Sequence, residues 1–210
     1  MKKYFLPFVC LCIISSCGNP NKTVQLKLTD ATIQRDIYVL SLGNSYTEPE
    51  LIGILAQTVK GLTSAEDRSI WTNNPYLFVQ DKNNYKYCWI ATDKFYEGFL
   101  FGNVYWDDYR MNITNDGRIY YIEFTTAVSS KDEFDEGYKY LLTTLSKKYG
   151  EPNHFDYGAN GQEIWFDGKT QLDLEWEKGS KDYYVSVTYT DVPISNEIRE
   201  LQKNVGESEF

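Results

Sequence analysis

Between Phe134 and Tyr149 the apolar positions return every three or four residues. Phe134, Tyr138, Leu141, Leu142, Leu145 and Tyr149 form one stripe, which is the helical period. Ser130-Lys131-Asp132-Glu133, just ahead of it, has capping-box spacing. Asp132, Glu133, Asp135 and Glu136 crowd the start while Lys147 and Lys148 close it, as the helix dipole favours, and Gly150 and Pro152 stop it. The spacing predicts a helix of about four to five turns. A second stripe, Leu51, Leu55 and Val59 with Ile52 and Ile54, follows Thr47-Glu48-Pro49-Glu50 and stops at Gly61. A hydroxyl cap, an early proline and a glutamate three residues on predict a helix start there.

Elsewhere the period is two. "YKYCWIAT" (85–92) alternates, and "VYWDDYRMNI" (104–113) does so with Tyr105, Tyr109, Met111 and Ile113 on one face. The alternation would place Asp107 on that face too, so a bulge is expected at Trp106-Asp107-Asp108. Asn115-Asp116-Gly117 then leads into "RIYYIEFTT" as a tight hairpin. A second Asp-Gly turn, Asp167-Gly168, joins two further runs. In the latter, Leu172, Leu174 and Trp176 should face in, and Asp173, Glu175 and Glu177 out to solvent. "YYVSVTYT" (183–190) follows, and the tail from Ile194 to Phe210 opens with a short helix. The expected fold class is α+β: a mostly antiparallel sheet with two helices packed on one face, because alternating strands need only one apolar face covered.

The first twenty residues follow another logic. Met1-Lys2-Lys3 precedes an apolar run from Tyr4 to Ile14, too short to span a bilayer, and then Ser15-Ser16-Cys17-Gly18. A basic start, a short apolar segment and small residues describe a secretory signal peptide. Ile14-Ser15-Ser16-Cys17 resembles the lipobox of bacterial lipoproteins. The resemblance implies cleavage before Cys17, a thioether from its sulfur to diacylglycerol, and acylation of the new amine. Two or three chains make a lasting anchor where one would bind only marginally. Gly18, in place of the aspartate that retains such proteins in the inner membrane, implies the outer membrane, with the periplasmic or surface side left open. The expected organisation is a leader at 1–16, a tether at 17–30, one domain at 31–192, and a partly helical tail at 193–210.

That reading reassigns the cysteines. Cys10 and Cys12 fall in the leader and Cys17 carries lipid, so Cys88 alone remains and no disulfide framework is expected. The formal charge is −9, and loss of Lys2 and Lys3 makes it more negative. Such a surface argues against nucleic acid as a partner. The 18 tyrosines, 11 phenylalanines and 5 tryptophans suit half-buried strands.

Catalytic chemistry is sparsely signalled. The single histidine, His154, is expected in a loop and cannot build a zinc site without C-x-x-C or H-E-x-x-H partners. A Cys88–His154 pair oriented by Asp156 is the conceivable nucleophile, but Cys88 reads as a small core residue. "NITNDGR" lacks the ligand spacing of a calcium loop, and no phosphate-binding glycine motif occurs, so no metal or cofactor is expected. The carboxylates could serve a hydrolase only if two of them face each other across a cleft. Trp71, Tyr76, Trp106 and Trp165 could stack on sugars, or on a partner, or simply pack the sheet; Trp89 has the same alternatives.

Two further stretches resemble known envelope proteins. "LLTTLSKKYGEPNHF", "EIWFDGKTQLDLEW" and "YYVSVTYT" are similar to a helix-then-three-strands pattern of small bacterial envelope proteins. "LSLGNSYTEPELIGIL" resembles the first helix of outer-membrane assembly lipoproteins of the BamE/SmpA type. Neither brings catalytic residues. The expected function is a lipid-anchored, non-enzymatic envelope protein that binds a protein partner, with glycan binding as the alternative and a carboxylate-dependent hydrolase behind it.

Overall fold

The computed structural model describes residues 25–38, 40–47, 49–51, 53–54, 79–80, 85–91 and 99–208. Two hairpins are small: β1 (Asp36–Ile37) with β2 (Leu40–Ser41), and β5 (Phe99–Phe101) with β6 (Val104–Trp106). Among the described residues the main sheet has eight strands. They are β3 (Val79–Gln80), β4 (Tyr85–Ala91), β7 (Asp108–Thr114), β8 (Ile119–Val128), β9 (Asn153–Asp156), β10 (Asn160–Phe166), β11 (Thr170–Lys178) and β12 (Tyr183–Asp191). Their order is β3-β4-β7-β8-β12-β11-β10-β9, and every neighbouring pair is antiparallel. Helix α1 (Lys131–Tyr149) leaves β8, and the chain returns as the meander β9 to β12, with β12 closing against β8. Helix α2 (Val192–Ser208) ends the described chain. The α+β class is as the alternation requires.

Helix α1 spans the predicted residues. The Glu133 amide donates to the Ser130 hydroxyl at 3.4 Å, and the Gly150 amide to the Ser146 carbonyl at 2.9 Å. Its Phe134, Leu141 and Tyr149 enter the core, with Tyr138, Leu142 and Leu145 beside them. The earlier helix start also appears: residues 49–51 and 53–54 are helical, and Thr47 donates from its amide and its hydroxyl to Glu50 at 2.7 Å. Leu51 shares α1's core cluster, so these two helical segments do cover one face. Leu55, Val59 and Gly61 lie outside the described residues, as do Cys17, Trp71 and Tyr76.

The hairpin at 115–117 is held from two sides. Gly117 has φ +86, and a Cβ there would meet the Tyr46 carbonyl oxygen at 2.4 Å, so only glycine fits. The expected bulge at Trp106-Asp107-Asp108 is instead a change of sheet: β6 ends at Trp106, β7 begins at Asp108 in the main sheet, and the register shift of β7 against β8 falls at Asn112/Ile113. The Asp107 carboxylate accepts from the Thr126 hydroxyl (2.9 Å) and the Ala127 amide (3.0 Å). The break changes the face assignment upstream: Trp106, not Tyr105, joins Tyr109, Met111 and Ile113 in the core, and Tyr105 is exposed.

Two boundaries differ from expectation. The tether is shorter, because Leu26 is buried against Ile164, Phe166 and Val192. The Thr29 amide donates to the Phe166 carbonyl at 2.8 Å, and Lys27 pairs through its backbone with the Asn153 side chain. The tail is no short helix either. α2 has 17 residues, and its Ile194 and Ile198 bury Tyr120 on the side of the sheet away from α1.

Candidate functional site

Strand alternation sorts the sheet into two faces. Under α1 lie Tyr109, Met111, Ile122, Phe124, Leu172, Leu174, Val185 and Val187, all buried. The opposite face carries the residues between them. Register places Ile164, Asp173, Thr188, Glu123 and Arg110 in one row across five strands. The next row reads Gln162, Glu175, Ser186 and Thr125. Leu26 with Phe155 and Phe166 flanks these rows on one side, and α2 with Tyr120 and Tyr121 on the other.

Asp173 is the centre of this face and overturns the expectation that it points to solvent. It is 3 % exposed. Gln171 Nε2 donates to its Oδ1 at 2.9 Å and to Oδ2 at 3.0 Å, and Gln162 Nε2 donates to Oδ1 at 3.0 Å. The same Gln162 nitrogen donates to Glu175 Oε1 at 2.7 Å, so one amide bridges two carboxylates. Burial pushes the Asp173 carboxyl up to about 7, and the Glu175 charge adds to it against the pull of the two glutamines. Glu175 is more exposed, and its carboxyl is raised by desolvation and then by Glu123. Arg110 Nη1 stands 3.8 Å from Glu123, with its guanidinium over the Tyr121 ring. Burial, with Glu123 beside it, also raises the Tyr121 phenol.

The other buried aspartate is a contrast. Asp191 forms an ion pair with Arg35 and accepts from the Ile194 amide at 3.0 Å, capping α2. Arg35 also donates to Thr170 Oγ1 and the Leu42 carbonyl. That node fastens the first hairpin to the end of the sheet, and its chemistry is consumed by structure.

His154 lies in β9, not in a loop. Its Nδ1 is 2.7 Å from Glu163 Oε1, to which the Tyr138 hydroxyl donates at 3.2 Å. Burial and the Glu163 charge raise the Tyr138 phenol. The Cys88–His154 pairing does not form: β4 and β9 are six strand steps apart, about 29 Å at ordinary strand spacing. Asp156 caps its own turn by accepting from the Gly158 amide.

Trp106 and Trp165 leave the sugar-stacking set. They are 1 % and 0 % exposed, and Trp165 Nε1 donates to the Gly150 carbonyl at 2.8 Å. Large rings with a satisfied polar edge are core here.

Comparison with known protein families finds one stretch. Residues 103–201 match the TP0088 domain. The TP0088 match takes in β6 to β12, α1 and the first half of α2, and so every residue of the two polar rows. No curated protein and no solved structure matches the chain.

The expected open apolar or aromatic patch is therefore replaced by a polar, mostly acidic sheet face. Gln162, Gln171 and Glu123 had no sequence signal beyond alternation, which marks a face but not what covers it. Chemically, the face offers hydrogen-bond acceptors and negative charge to an extended partner. Its acids lie side by side on one strand, where a cleft would set them opposite each other.

Proposed function

We propose that the chain is a lipid-anchored cell-envelope protein, acylated at Cys17 and resident in the outer membrane, that binds a protein partner without catalysis. The contact surface is the accessible part of the polar sheet face, Glu175, Glu123 and Arg110 beside the buried Asp173, and the fitting partner is a segment bearing positive charge. The observation that carries the binding surface is the row Asp173–Thr188–Glu123–Arg110, with Glu175 beside it. A buried acid held by two glutamine amides, with no cation pair like that of Asp191 among the described residues, supports recognition over folding. The anchor rests on the Ile14-Ser15-Ser16-Cys17 resemblance.

A photoreactive residue at Ser186, on the polar face, tests the surface against one at Tyr140, on the outer side of α1. In the intact envelope, Ser186 should give a discrete adduct that Glu175→Lys abolishes. Adducts from Tyr140 alone would contradict the assignment.

Carboxylate-dependent hydrolysis is a second reading, favoured by the Gln162 bridge. That bridge sets Asp173 and Glu175 close enough for the roughly 5–10 Å separations of glycosidase acids. It requires turnover that Asp173→Asn removes; binding that survives Asp173→Asn, with no turnover in either form, would end it.

A further inference from the structure

The outermost row of the polar face, beside the β11–β12 turn, differs from the rows around Asp173. The Tyr157 amide donates to the Asn160 carbonyl at 2.9 Å, and register carries the line on through Glu177 to Tyr184. All four residues are exposed, Tyr157 at 53 % and Tyr184 at 43 %. Three steps from chain to chain separate the two tyrosines, about 14 Å at ordinary strand spacing.

Both rings are seated. Tyr157 lies parallel to Phe155, with 9° between their planes and 6.5 Å between centroids, and Phe155 packs on the buried Leu26, Ile164 and Phe166 cluster. Tyr184 lies across Gly179, where a Cβ would meet the ring's Cε2 at 2.9 Å. A ring already fixed loses little conformational freedom when a ligand stacks on it.

Between the rings stand hydrogen-bonding groups. Asn160 offers an amide and Glu177 a carboxylate, and neither side chain has a hydrogen-bond or ion-pair partner among the described residues. A protein contact needs a continuous apolar centre, which two separated rings with an amide and an acid between them do not make. Nucleic acid is repelled by Glu175 and Glu177. A saccharide chain has the matching alternation: C–H faces that lie flat on aromatic rings, and hydroxyls at the edges that need donors and acceptors.

We infer that this row is a saccharide-binding strip. Tyr157 and Tyr184 each stack on a sugar ring, and Asn160 and Glu177 bond the hydroxyls between them. The ligand class is a neutral oligosaccharide, because Glu175 and Glu177 oppose the carboxylates of acidic sugars. The strip stands apart from the protein contact proposed at Glu175, Glu123 and Arg110, and neither depends on the other.

Titration calorimetry of the full chain with neutral tetrasaccharides (cello-, malto-, xylo- and chito-oligomers) tests this. At least one should bind saturably. Tyr157→Ala and Tyr184→Ala should each weaken that binding about tenfold, the weight of an aromatic anchor. Tyr140→Ala, which removes a comparably exposed tyrosine on α1, should leave it unchanged. Gly179→Ala, which pushes the Tyr184 ring off its seat, should weaken it as well. Both tyrosines are at the surface, so the unfolding midpoints of their variants should stay close to that of the wild type. Absence of binding to all four sugars overturns the strip. So does binding that the double variant Tyr157→Ala/Tyr184→Ala retains. Heat from a lysine-rich peptide with none from the sugars gives the row to a protein partner and overturns it equally.

Discussion

The two faces of one strand, β11, follow opposite rules. Leu172 and Leu174 point under α1 and are fully buried among other side chains of the apolar core. Gln171, Asp173 and Glu175 point the other way, and Asp173 is almost as buried as its neighbours. Burial of Leu174 stabilises the fold through apolar area and packing. Burial of Asp173 opposes the charged form and works against folding whenever that form is populated. A face retained against its own stability is the face to examine for function.

The largest effect should come from breaking the apolar face. Leu174→Ala removes a fully buried side chain and should cost about 2–5 kcal/mol in denaturant unfolding. A loss below about 1 kcal/mol would mean the two faces are not so different.

The comparison sharpens at the second buried acid. Asp191→Asn leaves Arg35 facing a neutral group and weakens the α2 cap, so it should lose up to about 3 kcal/mol at neutral pH. Unlike Asp173, Asp191 holds a cation, and the two substitutions should move stability in opposite directions at neutral pH.

The smallest expected change is at the rim. Glu175→Gln removes a raised carboxyl that lies beside Glu123, so stability at neutral pH should stay level or rise, by under about 1 kcal/mol. The same substitution should weaken capture of a basic partner. Unaltered capture would remove Glu175 from the contact surface.

How much of this could be read from the chain differs by face. Helix α1 was legible because Ser130, the 134–149 stripe and Gly150 agree with one another at every level. The break at Asp107 was legible because the alternation stumbles there, though it is a change of sheet and not a bulge. Asp173 was not, since period two separates faces without saying which is covered. The segments that pack on this face were read as peripheral: Leu26, in the stretch taken for tether, is buried with Ile164 and Phe166, and α2, taken for a fraying tail, buries Tyr120. The same blindness affects tryptophan, because Trp165 on an apolar face and a sugar-stacking tryptophan have the same periodicity. The His154–Glu163 pair needed the β9–β10 register, which no local pattern supplies.

The central claim is that the polar face holds an acid against the stability of the fold. An Asp173 carboxyl raised to about 7 from an ordinary value of 3.8 binds a proton more tightly when folded than when unfolded. Its penalty is absent below the unfolded value, grows as pH rises from about 4, and is complete above about 7, approaching 4 kcal/mol at most. The decisive measurement is the unfolding free energy of the wild-type chain and of Asp173→Asn across that range. The account expects the wild type to lose stability from pH 4 to pH 8 by an amount the variant does not lose, so that the variant is the more stable at pH 8. Parallel curves, or a variant destabilised equally at both ends, would contradict it.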